Sequence, residues 1–79
     1  MTREEYFAIC KELDLCKTFS ISKGLAVDDH RVAEMFNVHL RTAQRWSAEE
    51  IAIPDYVSRL LRLMISKNIV PSDVIEVNK

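Results

Sequence analysis

The residues whose chemistry reads most directly from this sequence lie in the string RTAQRW, Arg41 to Trp46. An arginine guanidinium can fork onto the O6 and N7 of guanine, and a glutamine carboxamide can do the same at adenine. Each such pair is worth about 1–3 kcal/mol of discrimination. At helical spacing Arg41, Gln44 and Arg45 share one face, while Ala43 and Trp46 turn to the other. Arg41 is expected to read guanine and Gln44 adenine. Arg45, one turn beyond Arg41, suits either a base or a phosphate. His39 and Thr42 suit a phosphate or a thymine methyl, and with Leu40 they complete a candidate DNA-contacting set of His39, Leu40, Arg41, Thr42, Gln44 and Arg45.

Such a face needs a support, and the preceding residues provide one. Val32, Ala33 and Phe36 fall on one helical face, Asn37 and Val38 break the period, and Ala43 and Trp46 resume it. Ala33 is small enough for a second helix to cross closely. Asn37 stands where the chain must reverse, and asparagine is one of the few residues besides glycine that tolerate a left-handed backbone. Val38 then plugs the corner. The pattern predicts a helix-turn-helix over about residues 29–47, with Trp46 and Phe36 as core side chains.

Around this motif the chain reads as one all-α domain over residues 1–79, a compact bundle of four to five helices. Thr2 and Glu5 form a capping box for a first helix from about Arg3 to Leu15, with Tyr6, Ile9, Cys10 and Leu13 inward and Phe7 beside them. Between Lys17 and Gly24, Phe19 and Ile21 alternate as in a short strand, and a bent helix stopped by Gly24 fits as well; a loop or short turn is preferred. Asp28 suits the N-cap of the next helix. Ile51 and Ile53 are expected to pin the loop Ser47 to Ile53 to the core. Pro54 suits the first position of a further helix, striped by Val57, Leu60, Leu61, Met64 and Ile65, flanked by Tyr56 and Leu63, and ended by Asn68 and Pro71. The tail, with Val74, Ile75 and Val77, is too apolar to be solvated. It reads as a short strand or helix that covers the core or pairs with a second copy.

Seventy-nine residues with one Gly, 48% hydrophobic and 29% charged suit a small helical domain. A chain this size buries roughly 60% of its unfolded surface, too little for an active-site cleft between lobes. No nucleophile–base set, paired carboxylates or phosphate-cradling glycine loop is present, so an enzyme is not expected. Cys10, Cys16, His30 and His39 lack the spacings of a zinc site, and neither metal nor cofactor is expected. No apolar run is long enough to span a bilayer, and the acidic Glu4 and Glu5 leave no signal segment, so the expected compartment is the cytoplasm of a bacterial host cell. The formal charge of −1 counts against nucleic-acid binding. Its distribution does not: His39 to Ser47 and Tyr56 to Lys67 hold arginines and no acid, whereas the carboxylates gather elsewhere. Arg59 and Arg62 share a face and read as a solvated stripe.

The strings VAEMFNV and RTAQRW, with a downstream IP opening an apolar helix, resemble the Cro/repressor-like helix-turn-helix regulators of phages and mobile elements, including the repressors encoded beside anti-CRISPR genes. The likeness covers roughly Asp28 to Met64. It departs at Asn37, where these motifs usually have glycine, and at His39, where a small hydroxyl usually opens the second helix. The resemblance implies a homodimer on an inverted repeat in double-stranded DNA, with the helix Leu40 to Ser47 in each major groove and half-sites about 34 Å apart. Repression would follow from occupying a promoter. Small phage proteins of this size also act as antirepressors, binding another phage or host regulator, and the low net charge and His39 keep that role open. For dimerisation two routes are open: the last long helix through Leu60, Leu63 and Met64, or the tail over residues 70–79.

Overall fold

A computed structural model describes residues 1–18 and 24–78. The described elements run α1 (Arg3–Glu12), β1 (Cys16–Thr18), β2 (Leu25–Val27), α2 (Asp29–Phe36), α3 (Leu40–Ser47), α4 (Asp55–Lys67) and α5 (Pro71–Val77). The domain is mostly helical, as the periodicity implies, but not wholly so. β1 and β2 pair antiparallel, Cys16 opposite Val27 and Thr18 opposite Leu25. The expected loop over Lys17 to Gly24 is therefore partly a hairpin, with the Phe19 and Ile21 alternation lying outside the described residues. No described helix is long and apolar enough to cross a membrane.

The hairpin exists because α1 stops early. The Thr2 hydroxyl accepts from the Glu5 N–H at 3.2 Å, as the capping box requires. The far end is Glu12, not Leu15. Asp14 adopts φ 59°, and the Leu15 N–H turns back to the Cys10 carbonyl at 2.8 Å, with the Asp14 N–H on Lys11 at 3.2 Å. These two bonds make a Schellman ending, which satisfies orphaned helix carbonyls and redirects the chain. Leu15 leaves the helix to be fully buried, and the Asp28 N–H bonds its carbonyl at 2.7 Å, continuing the strand pairing towards α2.

The core gathers Tyr6, Cys10, Leu13 and Leu15 from the first segment with Val27, Val32, Ala33, Met35, Ala43, Trp46, Val57, Leu61 and Met64. α1 contacts both α3 and α4, while α2 lies against α3 and α5. The apolar tail is thus a helix that covers the core, opened by Pro71 and seating Val74 and Ile75. The Asn78 carboxamide crosses to α2 and donates to the carbonyls of Glu34 at 3.1 Å and Met35 at 2.7 Å, in the last turn of the helix, where carbonyls lack their full complement of N–H partners.

Three other expectations shift, and a fourth holds in position without the expected capping bond. Pro54 is the N-cap of α4 rather than its first helical residue. Asp28 occupies the N-cap of α2 without a side-chain hydrogen bond. Ile53 rests on the core, but Ile51 is exposed. Met35 is buried where the spacing pointed to Phe36, which is half-buried, because α2 is covered on two sides and not one.

Candidate nucleic-acid interface

The sharp reversal between α2 and α3 is built from backbone. Asn37 takes φ 54° and ψ 48°, and the Val38 N–H reaches the Ala33 carbonyl at 3.0 Å while that of Asn37 bonds Glu34 at 3.4 Å. This is the same Schellman geometry that ends α1. Val38, partly buried against the core, makes the apolar contact that usually accompanies it. His39 then opens α3 with extended backbone, its carbonyl accepting from Thr42 and Ala43 at 3.0 and 3.3 Å. Its side chain makes no capping bond. By position the N–H groups of Leu40 and Arg41 have no acceptor inside the helix, and such a terminus favours anions.

Two contacts set the attitude of α3 on α2. Ala43 is completely buried and Ala33 nearly so, and a small buried residue on each helix lets the two backbones approach. At the other end Ser47 Oγ donates to Asp29 Oδ1 at 2.5 Å, tying the last turn of α3 to the first turn of α2. Nothing in the sequence pattern marks this pair, since Asp29 reads there only as a favourable charge at a helix start. Trp46 is buried beneath, its ring edge-on to Phe36 with centroids 5.8 Å apart. Tyr56 also meets Phe36, with centroids 6.4 Å apart.

With Ala43 and Trp46 inward, Arg41, Gln44 and Arg45 lie on the outer face, all exposed, with His39 exposed just before them. Leu40 and Thr42 are half-buried at its edges. All six candidate residues therefore lie on or beside one surface. Arg45 has a neighbour that helical spacing does not reveal: Glu50 Oε2 lies 3.9 Å from Arg45 Nε, both side chains largely exposed. The contact follows from the loop. Glu49 takes φ 61°, and the Glu50 N–H returns to the Arg45 carbonyl at 3.0 Å, bringing the carboxylate back to the helix that has just ended. An ion pair so exposed contributes at most about 1 kcal/mol and is readily exchanged for another anion. Arg62, on the polar side of α4, has Glu5 Oε2 at 3.4 Å, a pair just as exposed and as weak.

Behind this surface the interior is built for neutrality. Burial is the main reason that Tyr6 titrates far above its usual range, reinforced by the charges of Cys10 and Asp29. Burial likewise pushes the Cys10 thiol up to about 12, with Cys16 adding to it, and raises Cys16. Thiols held protonated in this way are poor nucleophiles and poor metal ligands. Tyr6 Oη and Trp46 Nε1 are buried without a well-formed hydrogen bond among the described residues, although Ser47 and Cys10 lie beside the phenol. Among those residues no three His, Cys, Asp or Glu side chains converge as a metal site.

The chain matches no protein-family model, no curated protein and no solved structure. The functional reading rests on its own residues.

Proposed function

We propose that this protein is a sequence-specific DNA-binding regulator of the helix-turn-helix type, acting as a homodimer on an inverted repeat, and most simply a repressor of the promoter it occupies. The observation that carries the reading is the outer face of α3. Three side chains able to fork hydrogen bonds, Arg41, Gln44 and Arg45, stand exposed opposite Ala43 and Trp46, on a helix whose footing is fixed at both ends. In this reading Arg41 takes guanine, Gln44 adenine, Arg45 a base or phosphate, and His39 and Thr42 flank them at the backbone. The first-turn N–H groups of α3 supply a further phosphate contact. Glu50 yields Arg45 to the nucleic acid at little cost. The likeness of RTAQRW and the IP-led helix to Cro/repressor-like regulators supports the same assignment, which places the protein in the cytoplasm of a bacterial cell.

The test is a gel shift against the DNA upstream of the protein's own operon at 50 and 200 mM salt. A shift that weakens steeply with salt is expected, because each neutralised phosphate releases counterions. Arg41→Ala should lower specific affinity about 5- to 150-fold, the equivalent of losing one bidentate base contact, with an unchanged unfolding midpoint. Unaltered sequence preference in that variant would remove Arg41 from the reading role.

An antirepressor role, in which the same face grips another regulator, is favoured by the net charge of −1 and by the carboxylate already beside Arg45. It predicts no shift at either salt concentration and co-purification with a second DNA-binding protein.

A further inference from the structure

The apolar surface of α4 is wider than its core needs. At 100° per residue Val57, Leu61 and Met64 point to the core, and all three are fully buried. Tyr56, Leu60 and Leu63 lie beside them, so that the apolar arc spans about 160° where roughly 100° suffices to face one core. Tyr56 is 56% exposed and Leu63 49%, with Leu60 half-buried between them. Lys67, also exposed, continues the same line at its C-terminal end. Positions 56, 60, 63 and 67 therefore form one straight stripe of aromatic, leucine, leucine and cation.

We infer that this stripe is where a second copy of the chain docks, α4 against α4 antiparallel about a two-fold axis passing between Leu61 and Arg62. The argument is self-complementarity. An isologous contact pairs residue i with j and j with i, and one register satisfies the whole stripe at once. With the axis placed there, Leu60 meets Leu63 of the second copy, Leu63 meets its Leu60, and each Tyr56 ring receives the Lys67 ammonium from the other chain. A cation over an aromatic face is attractive, while the leucines remove apolar surface from water. Sliding the helices by one turn loses both tyrosine–lysine pairs and leaves a single leucine pair at the axis. Met64, grouped with Leu60 and Leu63 in the sequence pattern, is excluded by its complete burial, and the alternative route, the tail, is engaged with α2 through Asn78.

A helix of 13 residues is only about 20 Å long, so the patch falls short of the roughly 800 Å² per partner of a standard stable interface. The dimer is accordingly weak in solution and is completed on DNA, where one bound copy raises the effective concentration of the next.

This inference rests on the dimeric reading above, and its test separates the two. Sedimentation equilibrium of the full chain without DNA, from 10 µM to 1 mM, should show concentration-dependent dimerisation. Leu63→Glu should abolish it, the residue being exposed and the circular dichroism melt unchanged. Lys67→Glu and Tyr56→Lys should each weaken self-association at least several-fold, and the two chains mixed should recover it, since the mixed pair keeps one tyrosine–lysine contact and sets the introduced lysine against the introduced glutamate. A monomeric wild type at 1 mM, or a Leu63→Glu chain that still dimerises, overturns the α4 interface. A dimer lost in Leu63→Glu while wild type binds no DNA sustains the interface and removes the DNA reading instead.

Discussion

α3 and α4 use the same secondary structure to opposite ends. α3 gives only Ala43 and Trp46 to the core and turns arginines and a glutamine outward, so its free face suits a charged, hydrogen-bonding partner. α4 gives Val57, Leu61 and Met64 to the core and still has leucine and tyrosine to spare. The difference teaches that exposure alone is not informative about a surface. What distinguishes the two faces is which solvent they are fitted to replace, ionic in one case and apolar in the other.

The sharpest way to break this contrast is to truncate one large side chain from each helix. Trp46→Ala should cost about 3–5 kcal/mol, typical of a buried aromatic, and leave a chain that is unfolded or nearly so by denaturant titration. Leu63→Ala, at a half-exposed site, should shift the midpoint little at concentrations where the chain is monomeric. Equal losses in the two variants would mean that the α4 stripe is part of the core after all.

Both helices rest on α1, and raising the pH attacks that shared floor. Cys10 is held protonated in the fold, with its pKa moved from 9.0 to about 12. A raised thiol pKa leaves its contribution to stability intact below about 9 and lost progressively between 9 and 12, because the unfolded chain ionises first. The folding equilibrium should fall up to about tenfold per pH unit for this one group across that window. Tyr6, shifted in the same direction, steepens the loss above pH 10. Thermal melts from pH 7 to 11 would show the fall, and Cys10→Ala should flatten it. An identical slope in that variant would assign the alkaline sensitivity elsewhere.

The smallest effect sharpens the comparison at the helix ends. α3 and α4 both terminate on left-handed residues, Glu49 at φ 61° and Asn68 at φ 54°. Glutamate is poorly suited to that region, whereas asparagine tolerates it. Glu49→Gly should therefore stabilise by about 1 kcal/mol and Asn68→Gly by less, measured by chemical denaturation. A destabilised Glu49→Gly would mean that the Glu49 carboxylate, which accepts from the Arg3 N–H at 3.2 Å, outweighs the backbone strain.

The same helix ends explain what could be read from the sequence and what could not. The α2–α3 corner was legible because Asn37 announces its own conformation and the apolar spacing breaks and resumes around it. The end of α1 was less so, since Asp14 takes a left-handed conformation that aspartate visits only occasionally, inside an apolar spacing that continues to Leu15. The hairpin was missed for the same reason, together with its brevity: three residues per strand are too few for alternation to declare itself. The outward set on α3 followed from helical period alone. Glu50 beside Arg45 and Ser47 on Asp29 did not, because both depend on where a loop or a second helix brings a side chain back. Met35 was overlooked because α5 covers a side of α2 that a two-helix picture leaves in water.

The bond from Ser47 to Asp29 has a consequence for how any ligand is met. It closes the open end of a corner whose other end is already fixed at Asn37, so α3 has no independent hinge. Whatever touches its outer face therefore encounters a prearranged helix, with the exposed side chains and not the backbone left to be ordered on contact. Association should then proceed as a near-rigid approach, and discrimination between targets should come from how well they deform to fit the protein, not from the protein adjusting to them.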